Sequence, residues 1–287
     1  MMAAESIWEW ARRHPWRAVL GAIVLVVLGF AFSVVAQTPR LDRKWNEHLA
    51  VMPKVDERAD GFSLDPVMDW AYDADGPVSK GSTTFDASYG DLKNVWFMVE
   101  PQPGGNYAAH TLVLFEFAGD RLVGLTVEAR LEEGETYSAL DGLFNKFELA
   151  FLWASSKELL TRRALFLKKE IYVYPLQLTE EQKLTFLKSV LGSTVAVETR
   201  PRFYNTLTSN CTNELAKAAG IGWHYSWVLT GYSPQRLFEL KLIPGNDFDA
   251  VKEKAKLDPE IRSWNGLPSA EFDRALLAEL RKRFGAD

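Results

Sequence analysis

The chain is poor in the residues that most often carry chemistry. It has one cysteine, Cys211, and four histidines, His14, His48, His110 and His224, in 287 residues. A single thiol excludes an intrachain disulfide and a cysteine-based zinc site. HExxH, CxxC and any histidine cluster are missing, so no metal and no organic cofactor is expected. GxSxG, GxxxxGK(S/T) and GxGxxG are missing as well. The serine-hydrolase elbow, the P-loop and the dinucleotide fold therefore have no support. Positive charge is not in excess: 33 basic side chains face 38 acidic ones, a net −5, which argues against nucleic acid as a partner. There is no internal repeat and no low-complexity tract. The acidic stretch Glu132, Glu133, Glu135 and Asp141 reads as a solvated loop rather than a calcium site.

One long apolar run is present. Ala18 to Ala36 contains no charge, and at about 1.5 Å per helical residue it spans roughly 28 Å, one hydrocarbon thickness. Trp8, Trp10 and Trp16 precede it, as interfacial anchors do. The run exceeds the roughly 7–15 residues of a signal-peptide core, which favours an uncleaved transmembrane anchor over a cleaved signal. Arg12, Arg13 and Arg17 on one side balance Arg40, Arg43, Lys44 and Lys54 on the other, so charge leaves the topology open.

The remainder reads as a mixed α+β chain with 47% hydrophobic residues overall, ample for one core. Residues 1–17 form a flank, 18–36 the anchor, 37–64 a proline-punctuated linker and 65–287 a single domain. Strands are expected at Val95–Val99, His110–Phe117, Leu122–Arg130, Phe147–Ala154 and Glu170–Tyr174, with a break at Pro101, Pro103, Gly104 and Gly105. HTLVLFEF and LVGLTVEAR around Ala118-Gly119-Asp120-Arg121 are the clearest hairpin. A helix begins at Thr179 and stops at Gly192; a second covers Thr212–Ala219 and ends at Gly220. Others are expected near Pro234–Leu240, Phe248–Lys256 and Ala270–Phe284.

Thr208, Ser209 and Asn210 are capping residues, which puts Cys211 in the first turn of a helix. Unpaired N–H groups and the helix dipole there stabilise a thiolate and are placed to hold an oxyanion. The ordinary alternative is a lone cysteine serving as a small buried hydrophobe. A nucleophile needs a base. His14 flanks the anchor and His48 is expected to be a solvated surface residue. His224, in the aromatic segment Trp223-His224-Tyr225 only 13 residues beyond Cys211, is the second candidate base or else a packed loop histidine. Trp223, Tyr225, Trp227 and Val228 are an apolar wall or simply core. His110, at a strand entrance after a Pro/Gly loop, is the favoured base. With Gly119 at the middle of the turn, partners sum to 238 and Glu128 faces His110; a two-residue turn would put Ala129 there instead. Glu128 is then the candidate to orient the imidazole, the alternative being a surface carboxylate paired with Arg130 or Lys146.

HTLVLFEF, VEARLEEGETYSALDGLF, YVYPL and RFYNTLTSNCTNELAK together resemble the bacterial Lnb-type N-terminal periplasmic domain family, over about Asp65 to Lys256. FYNTLTSNCT is the most specific block. The resemblance implies a permuted papain-like (NlpC/P60-type) fold, an antiparallel sheet with packed helices in which the histidine strand precedes the cysteine helix. It implies active-site roles for Cys211 and His110, an extracytoplasmic domain, a cytoplasmic 1–17 flank and a single-pass location in the bacterial inner membrane. It further implies lipoprotein N-acylation, from a phospholipid or diacylglyceryl donor to the N-terminal cysteine of a lipoprotein. Asn205 and Asn210 are candidates to assist the Cys211 N–H as oxyanion donors. An envelope cysteine peptidase or amidase acting on peptidoglycan, and a non-catalytic envelope scaffold, are the alternative readings.

Overall fold

The structure is a computed structural model and describes residues 7–103 and 105–285. Gly104, the first part of the 1–17 flank and the Trp8 side chain, for which expectations were stated above, lie outside the described residues. Among the described residues the strands are β1 Lys54–Glu57, β2 Gly61–Met68, β3 Ala71–Tyr72, β4 Pro77–Ser79, β5 Ser82–Ser88, β6 Leu92–Pro101, β7 Ala109–Phe117, β8 Arg121–Arg130, β9 Glu148–Ala154 and β10 Tyr172–Pro175. The α-helices are α1 Ile7–Arg13, α2 Pro15–Val35, α3 Ala139–Leu143, α4 Ser156–Thr161, α5 Glu180–Thr199, α6 Cys211–Ala218, α7 Ser233–Glu239, α8 Phe248–Ala255, α9 Asp258–Ser263 and α10 Ser269–Phe284.

An eight-stranded sheet in the order β1-β2-β9-β8-β7-β6-β10, with β5 on β2, forms the centre. It is antiparallel except where Met68 of β2 meets Ala154 of β9 in parallel, a departure from a wholly antiparallel sheet. HTLVLFEF reads as a nearly continuous apolar run because both of its faces are covered. Val113, Phe115 and Phe117 of β7 point to one core, against Phe186, Leu187, Val190 and Leu191 of α5 and Leu215 of α6. Leu112 and Leu114 point to the other, against Leu159 and Leu160 of α4 and Phe272, Leu276 and Leu280 of α10. Alternation along each strand thus feeds two helical layers. Gly124 is required at its place in β8: a Cβ there would stand 2.2 Å from Leu159 Cδ1.

The expected 37–64 linker is instead part of the domain. Trp45 and Leu49 are buried, and β1 and the first half of β2 pair within the sheet. Pro66 hid β2, because proline removes a ladder donor; the strand absorbs it where the β2–β5 register shifts between Leu64 and Val67. α5 also runs past Gly192 to Thr199. A glycine costs a helix only about 1 kcal/mol, and Leu191, Thr194 and Val197, all buried, hold the last turns on the sheet. Its start is as expected, with Thr179 and Gln182 forming a reciprocal capping box.

The apolar run forms α2, and its window Pro15–Phe32 is long and apolar enough to cross a membrane, with none of it buried in the protein.

Candidate active site

α6 begins where its sequence puts it. The Asn210 side chain caps the helix, its Oδ1 accepting from the Asn213 N–H at 2.8 Å. Its Nδ2 donates to the carbonyls of Thr206 and Trp227, both at 2.8 Å. Asn205 builds the turn before the cap: Oδ1 accepts from the N–H groups of Leu207 and Thr208, and Nδ2 donates to Leu143 O and Asn145 Oδ1. Both amides are spent on the backbone and, for Asn205, on the Asn145 side chain. Neither is placed as an oxyanion donor, which corrects the expectation for Asn205 and Asn210. What they achieve is to fix the first turn, leaving the Cys211 N–H, a first-turn donor, without an intrahelical acceptor.

Cys211 is 3% exposed. Beside it, the hydroxyls of Thr111 and Thr212 bond to each other at 2.9 Å, tying β7 to α6. The β7–β8 turn places Gly119 and Asp120 at φ 78° and 55°, and its partners sum to 238, from Phe117↔Arg121 to Leu112↔Thr126. Beyond that pair β7 follows β6 and β8 follows β9, so the sheet opens between them. His110 and Glu128 flank the opening.

His110 Nε2 lies 3.0 Å from Glu128 Oε1 and 2.7 Å from Thr126 Oγ1, and that hydroxyl donates to Glu128 Oε1 at 2.7 Å. His110 also interacts with the Cys211 thiol, each favouring the charged form of the other. Behind Glu128 stands Arg163, 2% exposed, 3.4 Å from Glu128 Oε1 and 2.9 Å from the buried Glu100. It sits on a π-helical turn, Arg162–Phe166, a geometry that recurs at functional sites.

Burial disfavours every charge here, and the partners overcome it. Burial alone lowers the basicity of His110, but the charges of Glu128 and then Cys211 push it up to about 10. Glu128 resists the same burial through His110 and then Arg163, which hold it well below the usual carboxylate range. The Cys211 thiol is likewise lowered despite burial, first by His110 and then by its bonds with Thr111. The arrangement favours a thiolate–imidazolium pair, which is the activated form of a nucleophilic cysteine.

The other candidates fall elsewhere. His224 is spent locally, its Nδ1 2.8 Å from Ser226 Oγ. Trp227 is core behind α6, whereas Trp223 and Tyr225 face outward, so these three do not form one wall. His48 is not a solvated histidine: burial first, then the charge of Arg162, pushes it down to about 4, and it feels Glu128. Sequence reasoning passed over Thr126, Arg163 and Glu100. Two of them carried a signal, a polar residue inside the apolar strand LVGLTVEAR and an arginine inside the apolar segment LLTRRALF. Tyr204, buried, and Tyr137 share a hydroxyl contact at 3.2 Å and both feel the Cys211 charge.

Comparison with curated proteins and with solved structures finds no match. Residues 84–222 match a family model, and the match spans Cys211, His110, Glu128 and Arg163 while leaving out α2 and the helices after α6. The matching model is that of the Lnb N-terminal periplasmic domain, to which this segment of the chain is similar.

Proposed function

We propose that the protein is a membrane-anchored thiol acyltransferase of the bacterial envelope, which moves a fatty acyl group through a Cys211 thioester to the N-terminal amine of a lipoprotein. The observation that carries this reading is the sequence of contacts Cys211–His110–Glu128–Arg163 at the open end of the sheet. In this reading α2 spans the inner membrane once, and the domain, a periplasmic family, faces the periplasm. The order of histidine strand before cysteine helix supports a permuted papain-like relationship.

The Cys211 thiolate attacks an ester carbonyl of a phospholipid or diacylglyceryl group. The Cys211 N–H, at the positive end of α6, stabilises the oxyanion. The carbon–oxygen bond breaks, the leaving alkoxide takes the His110 proton, and a thioester remains. The lipoprotein amine then attacks the thioester, giving its proton to the now neutral His110. The carbon–sulfur bond breaks to yield an amide, and the thiolate–imidazolium pair is restored. Glu128 holds the ring and balances its charge throughout, as the third member of such triads does.

The test is mass spectrometry of a lipoprotein's N-terminal peptide after incubation of diacylated lipoprotein and phospholipid with the full-length protein. An added acyl chain that disappears with Cys211→Ala is expected. An unmodified lipoprotein alongside cleaved muropeptides would instead identify a peptidase or amidase.

A further inference from the structure

The end of the sheet that carries the site is also the end tied to α2. By Arg40, four residues beyond Ala36, the chain is already fastened to the domain: the Arg40 N–H donates to Glu148 Oε1 at 3.0 Å. Arg43 adds ion pairs to Glu132 and, at 3.3 Å, to Glu148. Four residues reach at most about 14 Å, so the Arg40 N–H that holds the Glu148 side chain of β9 lies within that distance of Ala36, the C-cap of α2. Arg130 at the end of β8 pairs with Glu148. Glu128 is two residues from the end of β8.

The β8–β9 connection carries α3 at this end. Phe30, inside the apolar window of α2, meets Phe144 edge-on with ring centres 4.8 Å apart. A side chain that touches Phe30 stands at the level of the membrane interface. Around it, Leu140 is 63% exposed and Leu207 49%. Leu207 belongs to the turn that leads into Cys211, and that turn is bonded to α3, Thr206 Oγ1 donating to Ala139 O at 2.7 Å. Tyr137, half exposed, extends the patch toward Tyr204 and the thiol. Asp141, the one carboxylate of α3, is paired with Lys146 at 3.4 Å.

We propose that α3 and the 205–208 turn form a second, monotopic membrane contact, seated in the leaflet beside α2, so that a lipid ester enters the Cys211 site sideways from the bilayer. The occupant of this surface is the lipid bilayer itself. Exposed leucines and a tyrosine next to a spanning helix are the composition that interfacial segments use. The membrane seat rests on α2 crossing the membrane and not on the acyl-transfer chemistry, whereas the entry of a lipid ester rests on the proposed function.

The far end of the sheet supplies a control. β9 runs from Glu148 to Ala154, about 20 Å at 3.3 Å per residue. Ala154 pairs with Met68, just before the β3–β4 hairpin and its exposed Val78. Full-length protein with Cys211→Ser is reconstituted in phosphatidylglycerol/phosphatidylethanolamine nanodiscs, with single bimane-labelled cysteines in Leu140→Cys, Leu207→Cys and Val78→Cys. With nitroxide on the upper acyl chain of the lipids, quenching severalfold stronger at the first two positions than at the third is expected. Equal quenching at all three, no quenching, or quenching that requires a second copy of the protein in the disc overturns the proposal. Thioester formation on unlabelled wild-type protein is measured separately. Its absence with the quenching pattern intact removes the acyl-transfer reading and leaves the membrane seat standing.

Discussion

His110 and Glu128 meet at 3.0 Å although the β7–β8 ladder has already ended at Leu112↔Thr126. The register set by the turn continues through side chains where the backbone no longer pairs. Thr126, on the same face as Glu128, bridges the two with its hydroxyl, so the contact is held by three groups rather than one. The opening in the sheet is what lets the first turn of α6 present sulfur to a ring anchored on β7.

The first consequence concerns the thiol. With His110 present, Cys211 titrates below its ordinary value; without it, burial is left to push the thiol up. The pH midpoint of alkylation of the full-length protein by iodoacetamide should therefore lie below the ordinary thiol value. In His110→Ala the midpoint should move above about 8.5, the ordinary thiol value. The rate at pH 7 should fall. An unchanged midpoint would mean that His110 does not govern the thiol.

Glu128→Gln keeps the shape of the side chain and removes its charge. The His110 pKa, held up to about 10 largely by Glu128, should drop. The imidazolium form should then be lost at lower pH, narrowing the alkaline side of the pH–rate profile. Transfer activity should decline by about 10²-fold or more, the scale of a misoriented general base. Arg163→Met should act differently, because it leaves Glu100 and Glu128 buried without their shared counter-charge. A destabilisation of roughly 3 kcal/mol is expected, read as a lower thermal midpoint.

How far these parts were visible beforehand depended on whether a local rule governed them. The turn around Gly119 narrowed the hairpin to two registers, since a turn of fixed length sets every partner on both strands, and the structure takes the one that sums to 238. Cys211 at the start of α6 followed from the capping residue Asn210. β1 and β2 were not legible, because their order comes from pairing with β5 and β9, distant in sequence, and Pro66 argued locally for a break. The partners of Arg163, though not its oddity in an apolar segment, were hidden for a similar reason. Its partners Glu100 and Glu128 lie on strands separated from it by 35 residues or more, and nothing local to RRALF announces them. Asn205 and Asn210 misled because the same amide that can donate to an oxyanion also builds turns and caps, and here the backbone claims it.

Thr230 offers a test of positioning without touching the triad. Its hydroxyl accepts from the Ala109 N–H at 2.8 Å and donates to the Ala109 carbonyl at 2.6 Å, clamping the residue before His110. Thr230→Val keeps the volume and removes both bonds. Activity should fall about tenfold, with the thiol midpoint moving toward its His110→Ala position. A melting shift with an unmoved thiol midpoint would make Thr230 a stability residue only.

Asp273 gives a pH dependence that is independent of the site. Its carboxylate is buried between α10 and the sheet, accepting from Ser156 Oγ and, at 2.9 Å, from the Leu122 N–H. Burial, helped by the nearby Asp69, outweighs these bonds and the charge of Arg274, and pushes its pKa up to about 6 from 3.8. The folded state thus binds the proton more tightly than the unfolded chain does. The stability this contributes is fully present below pH 3.8 and is lost as pH rises through 6. Above that, the buried charge costs about 3 kcal/mol, at 1.36 kcal/mol per pKa unit. Asp273→Asn removes the charge and keeps the shape, and the Ser156 hydroxyl can turn from donor to acceptor to meet the new amide. The variant should be more stable than the parent at pH 8, by about 2 kcal/mol, and should lose that advantage near pH 4.5. Thermal midpoints of the two proteins at the two pH values decide it: a constant difference between them would show that Asp273 does not titrate in this range.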